Sequence, residues 1–278
     1  MEKDPLVAPV VKWVGGKRQL LQDILKHVPD KFSTYYEPFL GGGAVLFALQ
    51  PCRAVVNDIN EELINVYTVI RDNVEDLIED LKRHENRADY FYEIREKDRN
   101  KEIYGKMNNI EKASRILYLN KTCYNGLFRV NQQGEFNTPF GRYKNPNIAN
   151  EATLRAVSNY FNKAKITFRC EDFKEAVKDV RKGSFVYFDP PYDPVSESAN
   201  FTGYDRGGFD RSEQVRLKKL CDELSKKSVK FLLSNSATDF ILELYKDYNI
   251  VIVQANRFVN SRGDKRGKVE EVLVKNYE

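Results

Sequence analysis

An acid, two prolines and an aromatic ring stand together directly after an apolar run. Asp189, Pro190, Pro191 and Tyr192 follow residues 185–188, which predict a buried β-strand. Ligands of open α/β sheets bind beyond the carboxyl ends of the strands, and proline, which lacks a backbone N–H, interrupts regular hydrogen bonding there. An aspartate, a free carbonyl and a flat ring would together bind the exocyclic amine of an adenine or cytosine swung out of a duplex. The alternative is a strand that ends in a Pro-rich turn, with Tyr192 as ordinary packing.

Three consecutive glycines lie in a second segment, residues 37–43, between a predicted strand and a predicted helix. Glycine lets the backbone turn tightly and approach a ligand closely. Asp58 ends the next predicted strand, where an acid can accept hydrogen bonds from ribose hydroxyls. The arrangement suits NAD or S-adenosylmethionine, but the third glycine of the dinucleotide fingerprint would fall at Leu46. A glycine turn without a ligand is less favoured, because Glu37 and Asp58 flank the segment at strand ends.

The single tryptophan, Trp13, stands among two glycines and two lysines in residues 12–17. These residues could form a simple N-terminal anchor. They could equally stack on, or reach, a cofactor or DNA.

The composition limits the class of protein. Hydrophobic residues make up 41% of the chain, enough for a core, and no apolar stretch approaches the ~18 residues of a membrane span. The net charge of +4 is small, but segments 120–147 and 257–268 are rich in basic residues. Basic loops suit a phosphate backbone, although a solvated surface is the alternative. The first residues lack the pattern of a signal peptide, so we expect a cytoplasmic protein. If its basic loops bind the phosphate backbone of DNA, it would be associated with the nucleoid.

Histidine and cysteine usage gives little support to a metal site or a Ser-His-Asp triad. The two histidines, His27 and His84, are predicted to be surface or helix-capping residues. The cysteines are widely spaced, without a Cys-x-x-Cys pair, and we expect reduced thiols in or near the core rather than a zinc site. They are Cys52, Cys123, Cys170 and Cys221.

Short apolar runs alternate with helical patterns in two blocks of the chain, which predicts a parallel, doubly wound sheet. The last two runs are joined by a basic loop without a helix, so they are predicted to pair antiparallel. We therefore expect an α/β fold with the seven-stranded, Rossmann-like sheet of methyltransferases and a C-terminal antiparallel hairpin. The predicted strands are 35–39, 54–56, 166–170, 185–188, 230–233, 250–253 and 269–274; the helices among them are 44–49, 172–180, 211–227 and 238–246.

Between the two blocks the sequence changes to charged amphipathic helices, predicted over 61–83, 90–97 and 110–121. They precede a segment of about 25 residues, 122–147, which is long enough to favour a function over a mere connection. We therefore predict a discontinuous catalytic domain, residues 1–61 and 161–278, with a helical target-recognition insertion at 62–160.

In their order along the chain, these motifs resemble those of the Dam/DpnM family of DNA adenine-N6 methyltransferases, and the resemblance runs nearly end to end. It implies transfer of a methyl group from S-adenosylmethionine to N6 of a flipped adenine in double-stranded DNA, in the sequence GATC. S-adenosylhomocysteine would be the product, and no metal is implied. The matching segments are 12–17, 37–43, 57–58, 124–129, 134–144, 189–192 and 233–236.

The resemblance also implies roles for individual residues. Lys12 would reach the outer guanine, Tyr124 would fill the gap beside the flipped base, and Arg95 would contact phosphate. Leu127, Arg129 and Pro139 would read the remaining bases, and arginine is well shaped for guanine; core packing is the alternative for Leu127 and Tyr124.

The resemblance implies three sets of site residues. The catalytic set is Asp189, Pro190, Pro191 and Tyr192. The cofactor set is Trp13, Lys17, Phe39, Gly41, Gly43, Asp58, Asp172, Phe173 and Asp189. The DNA-binding set is Lys12, Arg95, Tyr124, Asn125, Leu127, Arg129, Asn137, Pro139 and Arg142.

In the expected mechanism the Asp189 carboxylate and the Pro190 carbonyl accept the hydrogens of N6, while Tyr192 clamps the base. At an ordinary pKa of about 3.9, Asp189 is ionised at neutral pH. Methylation of cytosine N4 in DNA or of adenine in RNA is an alternative, and so are a non-catalytic DNA-binding protein and, more remotely, an NAD-dependent dehydrogenase. We expect a monomer, with a restriction endonuclease of the same site as a candidate partner.

Overall fold

The computed structural model describes residues 2–17, 19–195, 208–256 and 268–278. Most of the basic segment 257–268 lies outside these residues, so its predicted contact with phosphates stays a prediction.

The described part of the chain contains seven strands and ten α-helices. The strands are β1 Tyr35–Glu37, β2 Arg53–Asn57, β3 Lys165–Arg169, β4 Phe185–Phe188, β5 Lys230–Ser236, β6 Asn249–Asn256 and β7 Lys268–Lys275. The α-helices are α1 Leu21–Lys26, α2 Ala44–Leu49, α3 Glu61–Asp72, α4 Val74–Lys82, α5 Ala88–Glu96, α6 Lys101–Lys106, α7 Asn109–Thr122, α8 Glu151–Lys163, α9 Arg211–Lys226 and α10 Asp239–Leu244.

The described strands form one seven-stranded sheet in the order β3-β2-β1-β4-β5-β7-β6. β1 pairs parallel with β2 and β4, and β4 pairs parallel with β5. β7 is antiparallel to both β5 and β6. The central strands β1 and β4 are buried at every position, as expected of parallel strands covered on both faces. The predicted α/β fold with a C-terminal antiparallel hairpin is confirmed. Among the described residues, no helix is long and apolar enough to cross a membrane.

The chain divides into two compact units. The second unit comprises Lys17–Leu40, Arg53–Asn57 and Glu171–Glu278. In it, Asp210 caps the N-terminus of α9, and its carboxylate accepts hydrogen bonds from two backbone amides of the first turn. The apolar face of α9 packs into a core with β4 and β5, which fixes the carboxyl ends of these strands.

The first unit comprises Met1–Gly16, Gly41–Cys52 and Asp58–Cys170. It contains all of residues 62–160, and their predicted role as a separate recognition insertion stays a prediction. At the start of α7 in this unit, Asn108 and Glu111 form a capping box. α7 is buried along most of its length, which provides a rigid base for the segment that follows it.

Several helix predictions are wrong in detail. Residues 61–83 form two helices, α3 and α4, because Asn73 leaves the helical conformation with φ −140° and ψ 41°. The predicted helix at 172–180 is reduced to a 3-10 turn, Glu175–Val177. The short α6 and the amphipathic α8 were not predicted.

The expectations for histidine and cysteine are partly corrected. His27 is the C-terminal cap of α1, as predicted. The prediction for His84 is wrong, since its side chain is only 8% exposed and stacks on Tyr118 with the ring centroids 4.3 Å apart. All four cysteines are free thiols; two of them, Cys52 and Cys170, are exposed rather than in the core.

Candidate active site

Asp189 follows β4 directly, so its carboxylate stands at the carboxyl end of the strand, as predicted. Its side chain is 20% exposed, and Oδ1 lies 2.6 Å from Nζ of Lys17, whose side chain is 8% exposed. The Ser234 hydroxyl, on β5, donates a second hydrogen bond of 3.1 Å to Oδ1. The acid therefore has a fixed orientation before any substrate arrives.

The pKa of Asp189 reflects opposing effects. Burial raises it above its ordinary value, while the Lys17 charge, the Lys17 hydrogen bond and the Ser234 hydrogen bond lower it; burial is the larger effect. Asp189 is therefore a stronger proton acceptor than an aspartate in water, and Lys17 supplies the charge that favours its ionised form.

Tyr192 is fixed at both its hydroxyl and its ring. Its hydroxyl donates a 2.8 Å hydrogen bond to Oε2 of Glu271 on β7, and Lys17 Nζ lies 4.5 Å from the ring centroid. Burial, together with the charges of Asp189 and Glu271, raises the pKa of Tyr192 well above its ordinary value, so the ring stays neutral. A fixed neutral ring suits stacking against a flat base.

A buried amide network holds the backbone after the first proline. Gln214 Nε2 donates to the Pro191 carbonyl at 2.8 Å, and Asn235 Nδ2 donates to Gln214 Oε1 at 3.0 Å. Asn235 Oδ1 in turn accepts from the Asp193 amide at 3.0 Å. These bonds engage the carbonyl of Pro191 and not that of Pro190, the carbonyl predicted to receive substrate.

Sequence reasoning missed the residues that support Asp189 and Tyr192. Ser234 and Asn235 lay in a matching segment but had no assigned role. Gln214 could have been found, because it occupies a buried position, 1% exposed, at helical spacing from Leu217. A polar residue on an apolar helix face indicates a specific hydrogen-bond partner. Glu271 had no signal in the sequence.

Three aromatic rings cluster in the same unit. The ring centroid of Phe39, which follows β1, lies 5.5 Å from that of Phe173 and 5.6 Å from that of Phe209. Arg216 lies over Phe173 at 4.4 Å and forms an ion pair with Asp172. Of the predicted cofactor residues, Phe39 and Phe173 are thus in contact with each other, and Asp172 already has a cationic partner.

The glycine loop of the first unit is built around Asp58. Gly41 and Gly43 have left-handed backbones, with φ of 48° and 68°, a region that favours glycine. Asp58 Oδ2 accepts a 2.8 Å hydrogen bond from the Gly41 amide, and Oδ1 accepts one of 3.0 Å from the Asn60 amide. Burial raises the pKa of Asp58, and the two amide bonds oppose that effect.

Trp13 covers the same loop. A Cβ atom at Gly41 would lie 3.0 Å from Trp13 Cδ1, and Trp13 stacks on Phe128 with ring centroids 4.6 Å apart. Trp13, Gly41 and Asp58 are therefore close to one another; their binding of a cofactor stays a prediction.

These residues fit a nucleoside-containing cofactor. A carboxylate has about four acceptor positions, and the Gly41 and Asn60 amides use two of those on Asp58, so the others can accept hydrogen bonds from ribose hydroxyls. The described residues contain no group of three or more acids, histidines or cysteines arranged to hold a metal ion.

Residues 122–147 contain an ordered hairpin. Two isolated antiparallel bridges, Cys123 with Phe140 and Val130 with Phe136, connect its two arms. The Tyr124 amide donates to the Pro139 carbonyl at 2.8 Å, so these two predicted DNA-binding residues are neighbours. Tyr124 is 56% exposed, which argues against core packing as its role.

Side chains on the hairpin are oriented by one another. Arg129 Nε donates a 2.9 Å hydrogen bond to Asn137 Oδ1, which leaves the other guanidinium nitrogens available. Asn125 and Arg142 are exposed and adopt left-handed backbones, with φ of 57° and 54°. Leu127 is partly buried, so packing stays open as its role.

Two predicted DNA-binding residues lie outside the hairpin. Arg95 is on α5, where it pairs with Glu96 and lies over the Tyr92 ring at 4.7 Å. Lys12 is exposed in the N-terminal segment, and Asn120 on α7 binds its backbone.

Comparison with known proteins identifies a family. The profile of the D12 class N6 adenine-specific DNA methyltransferases matches residues 13–259. The type II methyltransferase M1.LlaDCHI of Lactococcus lactis subsp. cremoris is 46% identical over 97% of this chain and 95% of its own length. The type II methyltransferase M.MjaIII of Methanocaldococcus jannaschii is 41% identical over 98% and 99%. The DNA adenine methylase of Escherichia coli K12 is 35% identical over 95% and 93%. The chain belongs to the D12 class of N6 adenine-specific DNA methyltransferases.

Proposed function

We propose that this enzyme transfers a methyl group from S-adenosylmethionine to N6 of an adenine flipped out of double-stranded DNA, within GATC. The observation that carries the proposal is the orientation of Asp189 at the end of β4, fixed by Lys17 and Ser234. Asp189 precedes Pro190 in the chain, and the amide network engages the carbonyl of Pro191 instead of that of Pro190.

Asp189 and the Pro190 carbonyl would accept the two hydrogens of N6. These bonds favour a tetrahedral nitrogen whose lone pair points out of the plane of the base. As positive charge develops on N6, the Asp189 carboxylate stabilises it and then accepts the surplus proton, which passes to water. When bound, S-adenosylmethionine supplies a methyl group made electrophilic by its sulfonium. Tyr192, tethered by Glu271, would hold the face of the base.

Candidate cofactor-binding residues occur in each unit. In the first unit, Asp58 would accept hydrogen bonds from ribose hydroxyls, and Gly41 and Gly43 would let the backbone approach, beside Trp13. In the second unit, the aromatic cluster of Phe39 and Phe173 offers rings for the cofactor adenine. Besides Asp58, the charged members of the proposed set are Asp172, Asp189 and Lys17, and each of these three already has an ionic partner in the protein.

The hairpin would be the DNA-reading surface. It presents exposed aromatic, cationic and amide side chains on a short antiparallel frame, a chemistry suited to base edges and phosphates. Tyr124 would occupy the gap left by the flipped base. The proposed contacts are Lys12, Arg95, Tyr124, Asn125, Leu127, Arg129, Asn137, Pro139 and Arg142. Residues 62–160 would then act as the target-recognition insertion.

The test is methyl transfer from labelled S-adenosylmethionine to two duplexes that differ only in GATC or GTTC, followed by chromatography of the nucleosides. We expect label on N6-methyladenine from the first duplex alone. Equal labelling of both would refute the GATC assignment but keep the reaction. Label on N4-methylcytosine, or on RNA adenine in a parallel assay, would refute the substrate assignment.

Two of the relatives are named type II methyltransferases, which leads us to propose a restriction endonuclease of the same site as a partner in function. DNA fully methylated by this enzyme should then resist an endonuclease that cleaves at GATC. Cleavage at the unmodified rate would refute this part of the proposal.

A further inference from the structure

Asn120 lies in the last turn of α7 and is 2% exposed. Its side-chain amide makes three hydrogen bonds, none to its own helix. Oδ1 accepts from the Lys12 amide at 2.8 Å. Nδ2 donates to the Lys12 carbonyl at 2.8 Å and to the Gly126 carbonyl at 3.1 Å. One buried side chain therefore ties the N-terminal segment to the hairpin.

The two bonds from Asn120 to the Lys12 backbone constrain the direction in which the Lys12 side chain leaves the backbone. They engage the backbone N–H and the backbone C=O of the same residue, as a neighbouring β-strand would. A residue held at both groups cannot rotate its peptide planes freely, so the starting direction of the Lys12 side chain is set by Asn120.

Gly126 shows where that side chain goes. Its backbone is left-handed, with φ of 65°, and a Cβ atom there would lie 2.5 Å from Lys12 Cδ and 3.4 Å from Lys12 Cβ. The Lys12 stem therefore lies directly over the turn between Tyr124 and Leu127. Asn120 lies beneath the point where the two segments meet.

We propose that Asn120 is a positioning residue for sequence specificity, which holds Lys12 and the hairpin as one reading surface and thereby sets discrimination at the outer base pair. The inference rests on the proposed function, in which Lys12 reaches the outer guanine. If Asn120 only supported the end of the helix, its substitution would lower activity on all DNA sequences equally. The two roles differ in what a substitution does to specificity.

The first test uses Asn120→Asp, which keeps the size of the side chain and the acceptor for the Lys12 amide. It replaces two donated bonds with a carboxylate oxygen facing the Lys12 and Gly126 carbonyls. The measurement is kcat/KM on duplexes containing GATC, AATC or GACC. In the GATC and AATC duplexes the adenine of the complementary strand is already methylated, and the complement of GACC, GGTC, contains no adenine. The ratio GATC/AATC reports discrimination at the outer guanine, and GATC/GACC reports discrimination at the third base.

We expect Asn120→Asp to lower the GATC/AATC ratio about tenfold or more, since one good base contact gives about 5- to 150-fold discrimination. The GATC/GACC ratio should stay within about threefold of the wild-type ratio. Lys12→Ala should lower the GATC/AATC ratio as Asn120→Asp does. The double variant should lose no more of this ratio than the larger of the two single losses, because the effects of coupled residues are not additive.

Gly126→Ala gives a second test that leaves Asn120 intact. The added methyl group would displace the Lys12 stem, and the GATC/AATC ratio should fall as it does in Asn120→Asp. Gly208→Ala is the matched control, because Gly208 also has a left-handed backbone, with φ of 57°, and a Cβ there meets nothing within 4 Å. If Asn120→Asp fails to fold, the comparison of these two variants decides the matter.

A uniform loss of kcat/KM on all three duplexes, with unchanged ratios, would overturn the inference and leave the proposed function standing. So would additive losses in the double variant, or a Lys12→Ala enzyme with full discrimination. If the wild-type enzyme methylates none of the duplexes, or all three equally, the proposed function fails, and the specificity role of Asn120 fails with it.

Discussion

Lys17 Nζ and Asp189 Oδ1 lie 2.6 Å apart, and their side chains are 8% and 20% exposed. The pair therefore lies where water screens charge poorly. Breaking a buried ion pair by removing one partner leaves the other charge uncompensated, which costs about 3–5 kcal/mol. Lys17 thus stabilises the folded protein and lowers the pKa of Asp189.

Lys17→Met should lower the free energy of unfolding by about 3 kcal/mol near neutral pH, because Asp189 would be buried without a counter-charge. Its pKa, already raised by burial, should rise further. The acid limb of the pH profile of kcat/KM should therefore move to higher pH. Urea unfolding and the pH profile measure the two effects.

Lys26→Met is the matched control for Lys17→Met. Lys26 also pairs with an aspartate at 2.7 Å, but its side chain is 70% exposed, and such surface pairs contribute at most about 1 kcal/mol. An unchanged acid limb in Lys17→Met would show that Lys17 does not set the pKa of Asp189.

Asp189→Ala should abolish turnover while DNA binding persists, since the proposed DNA-reading residues lie elsewhere in the chain. We expect kcat to fall well beyond tenfold, that is, by more than about 1.4 kcal/mol of barrier. Single-turnover methylation and a DNA-binding titration separate chemistry from binding. Methylation retained within about tenfold would remove Asp189 from the proposed mechanism.

The positions of Asp189, Asp58 and the glycine loop were predictable because strand ends and glycine turns are local features of sequence. The same holds for the parallel sheet and its terminal hairpin. Each is specified by a short run of residue types that the structure then confirms.

The supporting residues were not predictable because they depend on contacts distant in sequence. Tyr192 and Glu271 are 79 residues apart, and Asn120 reaches Lys12 across 108 residues. The burial of His84 had no local signal either, because it depends on stacking against Tyr118 on a later helix. Charge-rich neighbours in the sequence gave the opposite indication.

Arg129→Ala should reduce discrimination at one base pair by about 1–3 kcal/mol, as expected for loss of a bidentate guanine contact. Asn137→Ala should produce a smaller loss at the same base pair, because Asn137 orients Arg129 through the 2.9 Å bond. Relative kcat/KM on a set of duplexes substituted at one pair each measures both effects.

Arg155→Ala is the control for Arg129→Ala, since Arg155 pairs with Glu75 and Glu151 on the protein surface. It should leave discrimination unchanged. If Arg129→Ala weakened activity equally on every duplex, Arg129 would be a phosphate contact rather than a base contact.

His84 should make stability depend on pH. Burial lowers its pKa from 6.5 to about 4, and its ring nitrogens bond the Tyr90 and Ser114 hydroxyls at 2.9 and 3.0 Å. At His84 the unfolded chain binds a proton below pH 6.5, whereas the folded chain binds one only below about 4. The free energy of unfolding should therefore fall by about 3 kcal/mol as the pH is lowered from 6.5 to about 4. His84→Gln should remove this part of the slope in urea titrations at several pH values. An identical slope in the variant would show that His84 is not the responsible group.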